Sequence, residues 1–476
     1  MSFPGADPAK KRLLRRASLL VYGLLVVFFL FMECRSASAT PFPSFGVNAL
    51  PAFARKYGMP CSSCHEAWPK LSPFGQSFKD NGYQMGNDKD APVYQQPSYW
   101  PVTFRITPNW HRESLGSQAV DGPVVNGTTT TVEQRITTHG FDWSGLDFHA
   151  AGTIAKNVSF YVLPASDSSG AFHFEAVWAR LDNLLGSSWL NIKFGKFELD
   201  NLHSEKRILT LTSISGSYQN YHFQPASESL SPLGIPFVVG IGDNQVGAEW
   251  MGHSKNDRTR ISAALLSASD GQFNLPTSRG YNGFFAASQA FEVGSLGLQR
   301  VGGFAYIGQA PTYFQFNSSG AGIAGTGVGN KGYYRAGLIG MWYIKKLDLT
   351  TIYFHGRDSA FLGTGTRAID PLPTGAQAPT WNGGLIETHY NLNPQLVLIN
   401  RVETVRMSRQ ALPSLKSNLG DTDVATIGFR YYPFISSRAG FAFHNEFSLL
   451  RKRGLSPVNA TDQTNSSVLI GFDFAF

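Results

Sequence analysis

The chain has 476 residues, with 40 Lys and Arg against 33 Asp and Glu, a formal charge of +7 and only 15% charged residues. Six of the basic side chains lie in the first 39 residues, and cleavage after Ala39 would remove them together with two acidic ones and leave +3. That charge is too small and too dispersed for a nucleic-acid footprint, and no basic cluster with interleaved aromatics occurs, so nucleic-acid binding is set aside.

Lys10, Lys11, Arg12, Arg15 and Arg16 precede an apolar run from Ala17 to Met32, which is followed by Ala37-Ser38-Ala39. This order reads as a secretory signal with an A-x-A cleavage site, residues 1–39. The apolar run falls short of the ~20 residues that a spanning helix needs, and no comparable run follows, so a helical membrane anchor is not expected. Cys34 lies within the signal, in Phe31-Met32-Glu33-Cys34. Glu33 stands where a lipoprotein signal wants a small residue.

The mature chain keeps two cysteines, Cys61 and Cys64, in Cys61-Ser62-Ser63-Cys64-His65. In an oxidising compartment such a pair could form a disulfide, hold a metal or make two thioether bonds to haem vinyl groups. His65 favours the haem: the C-x-x-C spacing sets both sulfurs on one side while the next imidazole reaches the iron. Zinc would need two further ligands at suitable spacing. One covalently bound haem c is therefore expected, with His65 as axial ligand. Haem is attached to an unfolded chain, which favours general over twin-arginine export despite Arg15-Arg16. For the sixth iron ligand the first candidate is Met85, in the polar, Gly-containing run Gly82-Tyr83-Gln84-Met85-Gly86-Asn87. A histidine from elsewhere and an open position are the alternatives, and the choice sets the potential.

From Trp100 onward the helical period is missing, and segments of about ten residues alternate apolar with polar or small side chains, the pattern of transmembrane strands. In the last segment Val468, Ile470, Phe472, Phe474 and Phe476 oppose Leu469, Gly471, Asp473 and Ala475. His149, His173, His389 and His444, with Glu175, Glu387 and Glu446, fall on the lumenal face by the same alternation. Seventeen candidate segments can be marked, among them 101–108, 146–155 and 235–241, and because single-chain bacterial barrels have even strand numbers, sixteen are expected. Thirty-six phenylalanines at so low a charge content argue for a lipid-facing surface rather than a soluble β-sandwich. The expected fold is thus all-β: a bacterial outer-membrane barrel of about sixteen antiparallel strands over residues 100–476, with residues 40–99 as a small monohaem cytochrome segment plugging the lumen. The loops carry few carboxylates, which suits an acidic habitat.

The residues Pro51-Ala52-Phe53-Ala54-Arg55, Gly58, Cys61-Ser62-Ser63-Cys64-His65, Pro69, Leu71, Phe74-Gly75, Phe78-Lys79 and Gly82-Tyr83 resemble the fused monohaem cytochrome-porin family of outer-membrane iron oxidases. The motif match spans Pro51 to Tyr83; beyond it the likeness is one of length and barrel pattern. The resemblance implies that Cys61 and Cys64 bear the haem and His65 ligates it. It further implies that extracellular ferrous iron is oxidised and that the electron reaches a periplasmic c-type cytochrome or cupredoxin. It identifies no iron-binding residues. An outward electron conduit and a solute porin with a haem-bearing plug are the competing readings.

Overall fold

A computed structural model describes residues 51–476 apart from 97–98, 167–169, 201–208, 212–243, 269–270, 272, 274–279, 312–329, 358–374, 376, 379, 410–420, 436–439 and 453–462. The expected signal peptide and Cys34 lie outside the described residues. Residues 49–476 make one compact unit.

The unit begins with short elements: helix α1 (Ala52–Tyr57), the single turn α2 (Cys61–Cys64), the strands β1 (His65–Ala67) and β2 (Lys70–Leu71), and helix α3 (Pro73–Asp80). Sixteen long strands follow among the described residues. The first eight are β3 (Val102–Val125), β4 (Thr128–Ala155), β5 (Val158–Ser166), β6 (Phe172–Leu181), β7 (Asn191–Glu198), β8 (Asn244–His253), β9 (Thr259–Ser267) and β10 (Tyr281–Glu292). The other eight are β11 (Leu298–Pro311), β12 (Asn330–Ile344), β13 (Leu347–Arg357), β14 (Thr380–Asn393), β15 (Leu396–Arg409), β16 (Thr422–Tyr431), β17 (Gly440–Lys452) and β18 (Gln463–Ala475). Each pairs antiparallel with the next, and β18 returns to β3, from Ser466↔Ser114 to Ala475↔Arg105, closing the barrel.

The period-2 alternation decides which face is which. On β18 Ile470 and Phe472, and Phe476 just past its end, are exposed, whereas Leu469, Asp473 and Ala475 are buried. The same outward belt carries Phe194, Leu265, Leu338, Ile386, Val402 and Ile427. Inward positions hold charge instead: Glu249, Arg401, Glu403, Arg430, His444 and Asp473 are almost wholly buried. Closure leaves no edge strand within the barrel wall, which is the condition for strands to stand in hydrocarbon, and the apolar belt faces the lipid.

The two rims differ. At one, two-residue turns join β4 to β5, β12 to β13 and β14 to β15, and Asn157 and Lys345 adopt the positive φ that such tight hairpins require. At the other, connections run to 45 residues between Glu198 and Asn244. Short turns mark the periplasmic rim and long loops the extracellular one.

The sequence pattern and the structure differ in two places. The segments marked at 101–108 and 146–155 cover only part of β3 and β4. Beyond Ser114↔Thr137 the two strands pair with each other alone and project past the extracellular rim as a two-stranded ribbon. The segment at 235–241 lies outside the described residues, and β7 pairs directly with β8, so the barrel closes on sixteen strands without it. His149, His389 and His444 face inward and are at least half-buried, whereas His173 is exposed although its cross-strand partner is the inward Ala165. It lies just before a bulge at which the register shifts opposite Pro164, where proline has no N–H to give to the ladder.

Candidate functional site

The C-x-x-C-H run is held by its neighbours in the first thirty described residues. Gly58 ends α1 with φ 71°, donating its N–H to the Ala54 carbonyl at 3.0 Å, a left-handed cap that glycine adopts without strain. Ser72 caps α3, its Oγ accepting from Gly75 N at 3.1 Å, with Pro73 in the first turn. The Ser72 N–H also donates to the Cys64 carbonyl at 2.9 Å. Gly75 then crosses Cys64 so closely that a Cβ there would stand 2.1 Å from the same carbonyl oxygen. Phe74-Gly75 is therefore what lets α3 lie against the cysteine turn.

His65 Nδ1 lies 3.1 Å from the Pro69 carbonyl oxygen. A carbonyl only accepts, so Nδ1 carries the proton and Nε2 keeps its lone pair, the arrangement found behind metal-ligating imidazoles. Burial pushes the His65 imidazole down to about 4, so the ring is neutral at neutral pH. Burial likewise pushes the Cys61 thiol up to about 11 and raises that of Cys64. A redox-active C-x-x-C does the opposite, lowering a thiol below its ordinary value. The raised thiols therefore lack the signature of disulfide exchange.

Cys61, Cys64 and His65 line one cavity of about 320 Å³ together with Met85 and Met59, within the range of ligand pockets. Met85 is held there by Asp90, whose carboxylate accepts from four donors: Met85 N and Tyr57 Oη at 2.8 Å each, Gly86 N at 2.6 Å and Asn87 N at 3.0 Å. The rest of the lining comes from the barrel wall, including Arg105, His149, Tyr161, Leu163, Glu175 and Trp178. Phe53 stacks on Tyr83 at 5.0 Å and Tyr83 on Trp178 of β6 at 6.3 Å, while Phe78 meets Phe53 and Tyr57 edge-on.

The same residues are fastened to the inner wall around its periplasmic rim. Ala52 N donates to Thr103 Oγ1 at 2.7 Å, and Arg55 donates to the Val102 carbonyl at 2.8 Å. Asp80 pairs with Arg260 and Lys70 with Asp348, all four side chains buried. Arg180 donates to the Lys79 carbonyl at 2.6 Å, and Tyr432 Oη to the Trp68 carbonyl at 2.8 Å. Thr103, Arg180, Arg260, Asp348 and Arg430 each lie within two residues of a strand end at the short-turn rim.

The lumenal carboxylates marked in the sequence are used by the wall. Glu387 is paired with His389 at 2.6 Å and with Arg401 at 3.3 Å, and Glu446 with His444 at 2.7 Å. Glu175 lines the cavity. Among the described residues no group of three or more His, Cys, Asp or Glu is arranged to hold a metal ion. The structure brings Cys61, Cys64, His65 and Met85 to one place; sequence reasoning marked Phe74-Gly75 only as part of a resemblance and missed Asp90, Tyr161 and Trp178. Asn87-x-x-Asp90, whose backbone and side chains close a capping box, carried a readable signal; Trp178, on a strand 113 residues past His65, carried none.

No family model and no curated protein matches the chain. Among solved structures it is similar to the outer membrane channel DcaP of Acinetobacter baumannii, with a TM-score of 0.48 and 10% identity over 79% of this chain and 97% of that one. It is also similar to an anion-selective porin from Comamonas acidovorans, with a TM-score of 0.46 and 10% identity over 79% and 99%. A third is OmpT of Vibrio cholerae, at 0.44 and 8% over 79% and 98%. The closed sixteen-stranded sheet, its apolar belt and its asymmetric rims define the class: this is a porin-like β-barrel protein of the bacterial outer membrane.

Proposed function

We propose that the barrel carries one haem c, bonded through Cys61 and Cys64 and ligated by Nε2 of His65, and that it transfers electrons across the outer membrane. The observation that carries this reading is the convergence of both thiols and an oriented, neutral imidazole on one aromatic-lined cavity. Bound there, the haem would supply one-electron chemistry, and the chain's own residues would supply position and potential. Met85, fixed by Asp90, is the candidate for the sixth position. Residues 51–96 act as the plug, sealing the lumen with groups that would otherwise be hydrated. Ferrous iron is the electron donor that the resemblance of Pro51 to Tyr83 implies, with a periplasmic c-type cytochrome or cupredoxin as acceptor. Haem staining of the denatured chain tests the attachment. Stopped-flow mixing with ferrous iron tests the donor: rapid appearance of the reduced haem band is expected. Haem that stays oxidised with iron but is reduced by a periplasmic cytochrome would turn the direction outward.

The second reading, a solute porin whose haem-bearing segment only plugs it, is favoured by the architecture itself, since sixteen strands around a polar interior suffice for a water-filled channel. Solute-dependent swelling of liposomes loaded with the intact protein would support it.

A further inference from the structure

Tyr83, Trp178, Tyr161 and His149 follow one another along the cavity wall. Their ring centroids are 6.3 Å apart from Tyr83 to Trp178, 5.8 Å from Trp178 to Tyr161 and 6.0 Å from Tyr161 to His149. All four line the cavity that holds Cys61, Cys64 and His65. The series also has a direction. Tyr83 belongs to the segment seated at the periplasmic rim, Trp178 and Tyr161 sit three residues from the periplasmic ends of β6 and β5, and His149 is three residues from Leu146, where β4 stops pairing with β5. Tyr161 and Trp178 are direct cross-strand partners, so the row runs around the wall near the periplasmic rim and then rises two residues, from the level of Ala151 to His149, toward the loops.

Packing alone asks only for aromatic surface at these positions, and phenylalanine would serve. The chemistry present is more specific. Tyr161 Oη and His149 Nδ1 are 2.7 Å apart, a short hydrogen bond to a group able to take the phenolic proton. The Asp147 carboxylate lies 3.8 Å from Nε2 of the same ring and would stabilise the imidazolium that results. Asp147 is in turn held by Arg105 at 3.3 Å, which also bonds Asp473. Tyrosine and tryptophan are the aromatic side chains that can be oxidised by one electron, and tyrosine needs its proton removed at the same time.

We propose that Tyr161 is a redox-active side chain that relays electrons between the loop side of the lumen and the cavity, with His149 as its proton acceptor. The inference rests on the haem reading of the cavity. In the forward step Tyr161 loses one electron to the oxidised haem and its O–H bond breaks, the proton passing to His149 Nδ1. An electron from the external one-electron donor then refills the ring, and the proton returns to Oη. The net change is one electron moved from donor to haem, with no proton released.

Two arms test this. In the full-length haem-free chain, with Cys61→Ser and Cys64→Ser, flash oxidation by a ruthenium(III) trisbipyridine quench should give a hydrogen-bonded neutral tyrosyl radical by electron paramagnetic resonance. That signal is lost in Tyr161→Phe and retained in Tyr83→Phe. In the haem-loaded chain, Tyr161→Phe slows haem reduction by the external donor roughly 10²-fold, the low end of what a positioned proton acceptor contributes. His149→Gln does the same, and in both variants the slowing exceeds what any accompanying change in the haem midpoint potential accounts for. A Tyr161→Phe chain reduced at the wild-type rate, or a radical signal indifferent to that substitution, overturns the relay. A wild-type chain that takes up no haem overturns the haem reading instead, and the haem-free arm then still decides on Tyr161.

Discussion

Replacing Arg260 by methionine tests how the N-terminal segment is held. Asp80 ends α3, Arg260 opens β9, and both side chains are buried. Removing one partner of a buried ion pair costs about 3–5 kcal/mol, because the other charge is stranded. Asp80 would keep the Gln76 amide at 3.0 and 3.2 Å, and methionine would keep the packing of the arginine stem. The low end, about 3 kcal/mol, therefore applies, and at 1.4 kcal/mol per decade the undocked population rises about 10²-fold. Asp80→Asn differs: Arg260 retains Asp257 at 2.6 Å, and only about 1 kcal/mol is lost, near fivefold. The assay is limited proteolysis of the folded protein in detergent, following cleavage before residue 97 while the heat-modifiable mobility of the barrel is unchanged. Cleavage tracks the open population when opening is fast. Equal rates in Arg260→Met and the wild type, or equal rates in the two variants, would refute the latch.

Gly75→Ala forces a methyl against the Cys64 carbonyl; overpacking against backbone costs about 1–3 kcal/mol, and the yield of haem-stained chain per folded barrel should fall. The docked segment should also respond to acid. Burial raises the Asp80 carboxyl, but Arg260, Lys79, Arg180 and His253 outweigh it and hold the group below its usual range. A depressed carboxyl contributes stability above its unfolded value of about 4 and loses it as pH falls through the lower folded value. Protease resistance of the segment should therefore persist to about pH 4 and decline below it, and a decline already at neutral pH would contradict the pairing. Deleting residues 51–96 should open a steady ion conductance in planar bilayers that the intact chain lacks; equal conductance would mean the segment does not seal the lumen.

The wall portions of the strands were readable because each has one face in lipid and one inside, which imposes the period of two on residues such as Ile470, Phe472 and Asp473. The ribbon formed by the outer parts of β3 and β4 was not. From Asp121 to Trp143 nearly every described side chain is exposed, so neither face selects apolar residues and Thr128-Thr129-Thr130-Thr131 reads as a loop. At the site, Cys61, Cys64 and His65 were legible because their chemistry is fixed by adjacent residues. Asp90, Trp178 and Tyr161 act through contacts made only when the chain has closed, and nothing local distinguishes them from a surface carboxylate or from other aromatic residues of a barrel.

The inner wall explains why so short a segment can be ordered at all. Some 45 residues bury too little apolar surface to fold alone, and α1 and α3 offer each other only Phe53, Tyr57 and Phe78. The missing half of that core is supplied by Ala151, Leu163, Ala176 and Trp178, apolar residues at inward positions of β4, β5 and β6, where a water-filled barrel would carry polar ones. Spaced around the periplasmic rim, on β6, β9, β13 and β16, stand the charges of Arg180, Arg260, Asp348 and Arg430. Buried ion pairs add little net stability, but a mismatched one is costly, so these pairs fix the register in which the segment seats. Attraction comes from the apolar patch and position from the charges. The cavity is then bounded on one side by the cysteine turn and on the other by the membrane wall, so substitutions in β4, β5 and β6 reach whatever Cys61 and Cys64 hold as directly as substitutions in the segment itself.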